Sequence, residues 1–452
     1  MKASTILLLA AAIVNAAVVP TAPAPNANAA DKRQILGGIT SLAGKGGKVP
    51  DPAGASPRRV ELGSNSTKAG LGQAHPGQKV VKLREGPYSV INMNKMSLTG
   101  EAGALWNYPD VGVSKPCEGN CTIIGLQAGL EYPDGTNANI DSGMWLHHMV
   151  FLVKGPGRVD ATCENHRGVS LPHLDVGATP QTSERLFSSG NERTPLIVPK
   201  DVKAGYKIND KDQFAFIVDL MNDNMEDKVV YLTMTYTILD GHPEDYETFR
   251  PVWFDVNQCG TSEVPSPQPD GAFTIQSQPW TPTFEGRVLG LAGHLHDGGT
   301  NLQVKTQRAN VCNSTTTYAG SPEFIPKAGG MGDMGGMEEG EHSDEEAAPA
   351  AGESESMPGM DMGGEEEAGH SHGGMARRDG GHGVEHISNM KSCYGMKWGN
   401  NEVAGIQDLK KTDTWTIVGH YDYNEHPGAK HGGSDKPANI MGIAIMFVIE
   451  NL

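Results

Sequence analysis

Ten short segments rich in Val, Ile, Thr, Tyr and Phe, separated by Gly, Pro, Asn and Asp, recur along this chain from residue 80 onward. They are 80–90, 122–132, 145–153, 213–220 and 228–239, then 273–279, 286–296, 301–306, 414–423 and 440–450. Segments of that length and composition, punctuated by turn formers, predict strands. Helix-period stretches are scarce, so the expected fold class is all-β, built as sandwiches. A Pro- and Gly-rich break divides the segments into two groups of similar length. The simplest organisation is two packed β-sandwich domains, 79–240 and 272–452, joined by a linker at 241–271. Residues 34–78, rich in Gly, Pro, Ala and Ser without periodicity, read as a flexible arm.

The second group is interrupted by 328–386, which has no aromatic residue, a single Val among its Val/Ile/Leu/Phe positions and 16 glycines. Such a segment cannot bury a core and is expected to be disordered. It also explains the charge. The chain carries a formal net charge of -18, but this insert alone contributes -13, from 15 acidic residues and two arginines. With the first 33 residues at +2, the remainder is only -7. An acidic balance excludes a nucleic-acid binder, which needs a basic footprint against phosphate. The insert also holds 7 of the 19 methionines and 5 of the 16 histidines, in phrases such as Met357-Pro-Gly-Met360-Asp-Met362 and His370-Ser-His372. Thioether suits Cu(I) and imidazole suits Cu(II), Zn and Ni, so metal capture is the expected use.

The chain opens on Lys2, an apolar run from Ile6 to Val14 and small residues to Ala17. This is the layout of a secretory signal peptide, 1–17, with the dibasic Lys32-Arg33 closing a propeptide at 18–33. Asn65, Asn120 and Asn313 begin Asn-X-Ser/Thr sequons, which fit a secreted glycoprotein. No later apolar run approaches the length of about 20 residues that spans a bilayer, so no transmembrane segment is expected. Six cysteines, an even count in an oxidising compartment, predict three disulfides whose pairing spacing alone does not settle.

Two histidine clusters fall on predicted strands. In Trp145-Leu146-His147-His148-Met149 the histidines are adjacent, and neighbours on a regular strand face opposite ways. Both rings reach one ion only at a bulge or strand end. In Gly293-His294-Leu295-His296-Asp297-Gly298-Gly299 the His-X-His spacing puts both rings on one face, the natural geometry for two ligands of one metal. Met441, in Ile440-Met441-Gly442, is a third candidate ligand.

These residues resemble the copper type II, ascorbate-dependent monooxygenases, the superfamily of the peptidylglycine and dopamine hydroxylating enzymes. His147-His148-Met149 is similar to the family motif that holds an electron-delivering copper. His294-Leu295-His296, with His431-Gly-Gly and the later Met441, resembles the motifs that hold the copper that binds oxygen. A closer likeness is to the stress-upregulated nodulin-like secreted proteins of plants and fungi, through Ser189-Gly190-Asn191-Glu192-Arg193-Thr194, Leu220-Met221-Asn222 and Ile440-Met441-Gly442. The resemblance implies two jelly-roll domains, copper as the cofactor and ascorbate or another reductant as electron source. It makes His294, His296 and Met441 the catalytic ligands, with His147 and His148 completing the metal set.

Three departures bear on function. The family's third histidine for the first copper has no counterpart in the Phe216–Asn222 stretch, leaving Asp219, Met221, His166 or His173 as substitutes. Ala292 stands where peptide hydroxylation uses an arginine for the substrate carboxylate, and Ile445 stands where it uses a tyrosine. A peptide C-terminus is therefore not the expected substrate, and a small-molecule or cell-wall substrate takes its place. The expected function is a secreted copper monooxygenase, free or associated with the cell wall, that hydroxylates a C–H bond. The alternative is an extracellular copper-sequestering stress protein without turnover.

Overall fold

A computed structural model describes residues 46–63, 75–97, 100–163, 182–259, 262–325, 385–394, 397–398, 402–403, 406–429 and 436–450. The expected signal peptide, propeptide and all but the last two residues of the expected insert lie outside these, as do Asn65, His166, His173 and His431. The described chain is all-β, as its composition predicts. Among the described residues the helical turns are two three-residue 3-10 segments, Ile140–Ser142 and Pro322–Phe324. No helix there is long and apolar enough to cross a membrane.

One long sheet runs through both halves of the chain. Its path is Gly47–Lys48, Lys79–Val90, Lys228–Asp240, Cys121–Glu131, Ala204–Ile208, Glu247–Asp255, Ile440–Glu450, Gly286–Leu295 and Cys393–Tyr394. A four-stranded sheet is ordered Ala104–Val113, Gln213–Asn222, Met144–Lys154, Ser183–Ser189. A five-stranded sheet is ordered Ala272–Gln276, Trp415–Asp422, Gly299–Thr306, Asn310–Tyr318, Ile387–Met390. Side chains of the four-stranded sheet join one hydrophobic core and those of the five-stranded sheet join another.

Strand Ile440–Glu450 serves both cores. Met441, Ile443, Ile445, Phe447 and Ile449 enter the first, while Ile440, Ala444, Met446 and Val448 enter the second. A period-2 strand covered on both faces must be apolar throughout, which is why this segment reads as an unbroken hydrophobic run. Each such side chain contributes about 1.5–3 kcal/mol by leaving water.

Two sequence expectations change here. The break at 241–271 contains strand Glu247–Asp255, which pairs antiparallel with Ile440–Glu450 and parallel with Ala204–Ile208. Phe249, Val252, Trp253 and Phe254 are all buried, so this stretch is core and the Pro/Gly signal marks only its flanks. The arm at 34–78 includes Gly47–Lys48 and Arg59–Leu62, both paired with Lys79–Val90. Their pairing is supplied by a partner strand, which composition does not reveal.

The six cysteines form Cys117–Cys121, Cys163–Cys259 and Cys312–Cys393. Three disulfides are what an oxidising, extracellular setting sustains.

Trp253 tests whether the 247–255 strand is structural. Its indole N–H donates to Asp255 at 2.7 Å, and the Arg185 guanidinium lies 4.8 Å from the ring centroid. Trp253→Ala is expected to cost about 3–5 kcal/mol in chemical denaturation. A loss below about 1 kcal/mol, the range of exposed positions, would return the segment to linker status.

Candidate metal centre

The adjacent histidines meet the geometric condition that one ion imposes. Along Met144–Lys154, His148 pairs with Asp219, but Leu220 pairs with Leu146, so His147 is an extra residue in the ladder. On the other side of strand Gln213–Asn222, Val218 pairs with Tyr108 and Leu220 with Leu105, which sets Trp106 and Asn107 against Asp219. Asn107 takes the left-handed conformation at φ 44, which Asn tolerates better than most residues. Bulges therefore flank Asp219 on both sides, and they bring the His147 and His148 ring centroids to 5.1 Å.

His294 and His296 come from the other half of the chain. The ladder between Gly286–Leu295 and Ile440–Glu450 runs to Leu295 opposite Gly442. One step further, the Tyr421 hydroxyl stands between the strands. It accepts from the His296 N–H at 3.3 Å and donates to the Met441 carbonyl at 2.6 Å. Past His296 the chain turns at Gly298, whose φ of 92 is glycine's territory. Pairing of His294 with Ile443 places His294 and Met441 on the same face of the sheet.

The structure joins the two motifs. One ligand atom each from His147, His148 and His296 lie within 4.8 Å of one another. The His147 and His296 ring centroids are 4.7 Å apart. The histidines expected on separate coppers thus form one three-imidazole group, with His294 beside it at 5.6 Å from the His296 ring. Met441 is buried in the adjoining core, 3% exposed.

The hydrogen bonds leave the right atoms free. His294 Nδ1 bonds Glu192 at 2.9 Å, and His296 Nδ1 bonds the Asn439 carbonyl at 2.9 Å. Both Nε2 atoms are buried without a hydrogen-bond partner, as are His147 Nδ1 and His148 Nδ1. Buried polar atoms normally find partners. Four imidazole nitrogens are left open in one region, three of them on rings whose other nitrogen is hydrogen-bonded, since His148 Nε2 meets Asn107 Oδ1 at 3.2 Å. Such a set of donors suits a metal ion. These residues fit copper or zinc.

Charge is arranged around the same point. Asp219 is fully buried and neither carboxylate oxygen has a hydrogen-bond partner. Those oxygens lie 3.6 Å from His147 Nδ1 and 3.8 Å from His148 Nε2, beyond hydrogen-bond reach. Of the two substitutes among the described residues, Asp219 is brought against both rings, while Met221 lies on the same strand opposite Trp145. Burial works against a charged His147, yet attraction to Asp219 outweighs it and leaves that ring above its ordinary value. Burial, then repulsion from neighbouring imidazoles, holds His148 and His296 well below theirs. Burial opposes ionisation of Glu192, but His294 outweighs it and keeps the carboxylate low.

Sequence reasoning gave Glu192 no role, although its Ser189–Thr194 motif was in view. The motif is a built turn. Glu192 also accepts from the Gly190 N–H at 2.9 Å, and Arg193 donates to Asn137 and Ala138 at 2.7 and 2.6 Å. A Cβ on Gly190 would meet His294 Cε1 at 2.8 Å and the His147 carbonyl at 2.9 Å, so glycine lets the two histidine segments approach. His386, expected to end a disordered insert, is buried. It bonds Asp297 at 2.7 Å and packs its ring 4.3 Å from Trp145. Tyr421 left no sequence signal at all.

No family model matches the chain. It is 35% identical over 209 residues to the "Probable copper-dependent oxygenase M1" of Phoma sp. (strain ATCC 20986 / MF5453), covering 46% of this chain and 50% of that one. It is 36% identical over 196 residues to the "Probable copper-dependent oxygenase clz3" of Cochliobolus lunatus, covering 43% of this chain and 58% of that one. The chain thus spans about half the length of the curated relatives it matches. Among solved structures, PNGF-II aligns with 87% of this chain and 66% of its own at 8% identity and a TM-score of 0.30, a likeness that carries no argument.

Three outcomes follow from this geometry. Glu192→Gln is expected to weaken metal binding about 10–100-fold by isothermal titration, because it loosens the orientation of His294; unchanged affinity would leave Glu192 a structural residue only. Tyr421→Phe strips the hydroxyl from two buried backbone groups and is expected to cost about 1–3 kcal/mol, with weaker metal binding. Finally, between their depressed values and about 6.5, His148 and His296 stay neutral in the folded chain while the unfolded chain takes up protons. Their contribution to stability therefore falls as pH drops. Denaturation midpoints of the metal-free protein should fall from pH 7 to 5 more steeply than those of His148→Gln, and parallel curves would refute the assignment.

Proposed function

We propose that this chain is a secreted copper-dependent oxygenase that hydroxylates an unactivated C–H bond using dioxygen and a reductant such as ascorbate. The observation that carries the reading is the convergence of His147, His148 and His296, from distant segments, with open buried nitrogens beside His294 and Met441. Similarity to two fungal proteins named for copper-dependent oxygen chemistry supports the metal and the reaction class.

In this reading His147, His148 and His296 hold the metal, and Glu192 fixes the tautomer and aim of His294. Asp219 supplies the buried negative charge that a cation held by neutral imidazoles needs nearby. Copper, when bound, supplies the one-electron redox chemistry that activates dioxygen. His148, His294 and His296 are each no more than 9% exposed, while His147 is the part-exposed member of the group.

Copper counting on the purified protein, wild type against His296→Ala and His148→Ala, tests the centre. Each variant is expected to lose at least one copper, and full retention in both would end the reading. Oxygen uptake by the copper-loaded protein with ascorbate then tests turnover. The second reading, copper sequestration, rests on the seven methionines and five histidines of 328–386. It is favoured if deletion of that segment removes most of the copper while His296→Ala removes none.

A further inference from the structure

We propose that a small apolar cavity beside His294 is a holding site for dioxygen on its way to the metal centre. The inference rests on the oxygenase reading above and goes beyond it by assigning a separate binding site. The cavity has a volume of about 20 Å³ and lies where Ser183–Ser189, Gly286–Leu295 and Ile440–Glu450 come together. Phe187, Leu196, Ala292, Ile443, Ile445 and Phe447 form its apolar wall, with His294 and Glu192 at one end. Ala292 and Ile445 are directly paired across the two strands, so the small alanine side chain leaves the space that the isoleucine does not fill.

Size and chemistry select the occupant. A volume of this order holds one or two water-sized molecules, and no organic substrate fits it. A water needs two to four polar partners. Here Glu192 already accepts from His294 and Gly190, Thr194 accepts from the Met390 N–H at 3.3 Å, and the Tyr394 hydroxyl accepts from the Ile197 N–H at 3.4 Å. A neutral diatomic needs none of these bonds, and transfer from water into an apolar wall favours it. Location supplies the rest of the argument. This cavity shares His294 with the site, so a molecule held there lies beside the candidate ligands. Its other lining includes the part-exposed Tyr394, so it reaches from the buried histidine toward the surface.

Xenon, an apolar atom with no hydrogen-bonding capacity, is the probe. Crystals of the full chain, metal-free and copper-loaded, are pressurised with xenon. The expected result is one xenon against Ala292, Ile445 and Phe447 in both forms, absent in Ala292→Leu and reduced in the milder Ala292→Val. An ordered water in that position, or no xenon, overturns the proposal. The second measurement is reoxidation of the Cu(I)-loaded protein by dissolved oxygen. Ala292→Leu is expected to slow it at least tenfold with copper stoichiometry unchanged, and an unchanged rate overturns the delivery role. Xenon occupancy needs no copper, so the two readings fail separately. Xenon bound in a protein that takes up no copper sinks the oxygenase reading, and copper bound without xenon sinks the cavity alone.

Discussion

Two-sided burial of Ile440–Glu450 is the constraint on which the architecture rests. Alternate side chains of this strand close two different cores, so a one-residue slip in its register would exchange the contents of both. Register is therefore fixed from two directions at once. The same strand carries Met441 at the end that meets His296, so the packing that locks the cores also locks the spacing of the candidate ligands. The Tyr421 hydroxyl extends that control by one step. It comes from the five-stranded sheet and keeps His296 and Met441 a fixed distance apart where the direct ladder stops.

Most strands were legible because each carries its own local signal. The 440–450 run, the 228–239 segment and the His-X-His strand all appear near their expected bounds. Strand Glu247–Asp255 was hidden because Pro and Gly flank it and its sheet partners lie far away in sequence. The candidate ligands were legible as residue types, and the bulge that adjacent histidines demand is present. Their grouping was not legible. Which histidines share an ion depends on how the four-stranded sheet meets strand Gly286–Leu295, and that is a tertiary fact. Glu192 and Asp219 act through space on rings from other strands, so the sequence showed Asp219 only as one of four substitutes and Glu192 only as part of the Ser189–Thr194 motif.

The site is also a charge problem solved without solvent. Asp219, Glu192 and Asp297 are buried carboxylates, each set against a histidine ring. Glu192 and Asp297 are hydrogen-bonded and hold defined ring positions, whereas Asp219 has only the two nearby imidazoles. Buried carboxylates set against a cluster of imidazoles make the interior receptive to a cation.

The Cys312–Cys393 bond brackets the whole 326–384 stretch, including the dibasic Arg377-Arg378. A protease that cuts there would produce two polypeptides that still migrate as one molecule until the disulfide is reduced. The carboxy-terminal piece would also stay seated through His386 on Asp297 and strand Ile387–Met390 on Asn310–Tyr318. Maturation of this protein would thus be silent in any size measurement made under oxidising conditions, and a single band would say nothing about how many chains it contains.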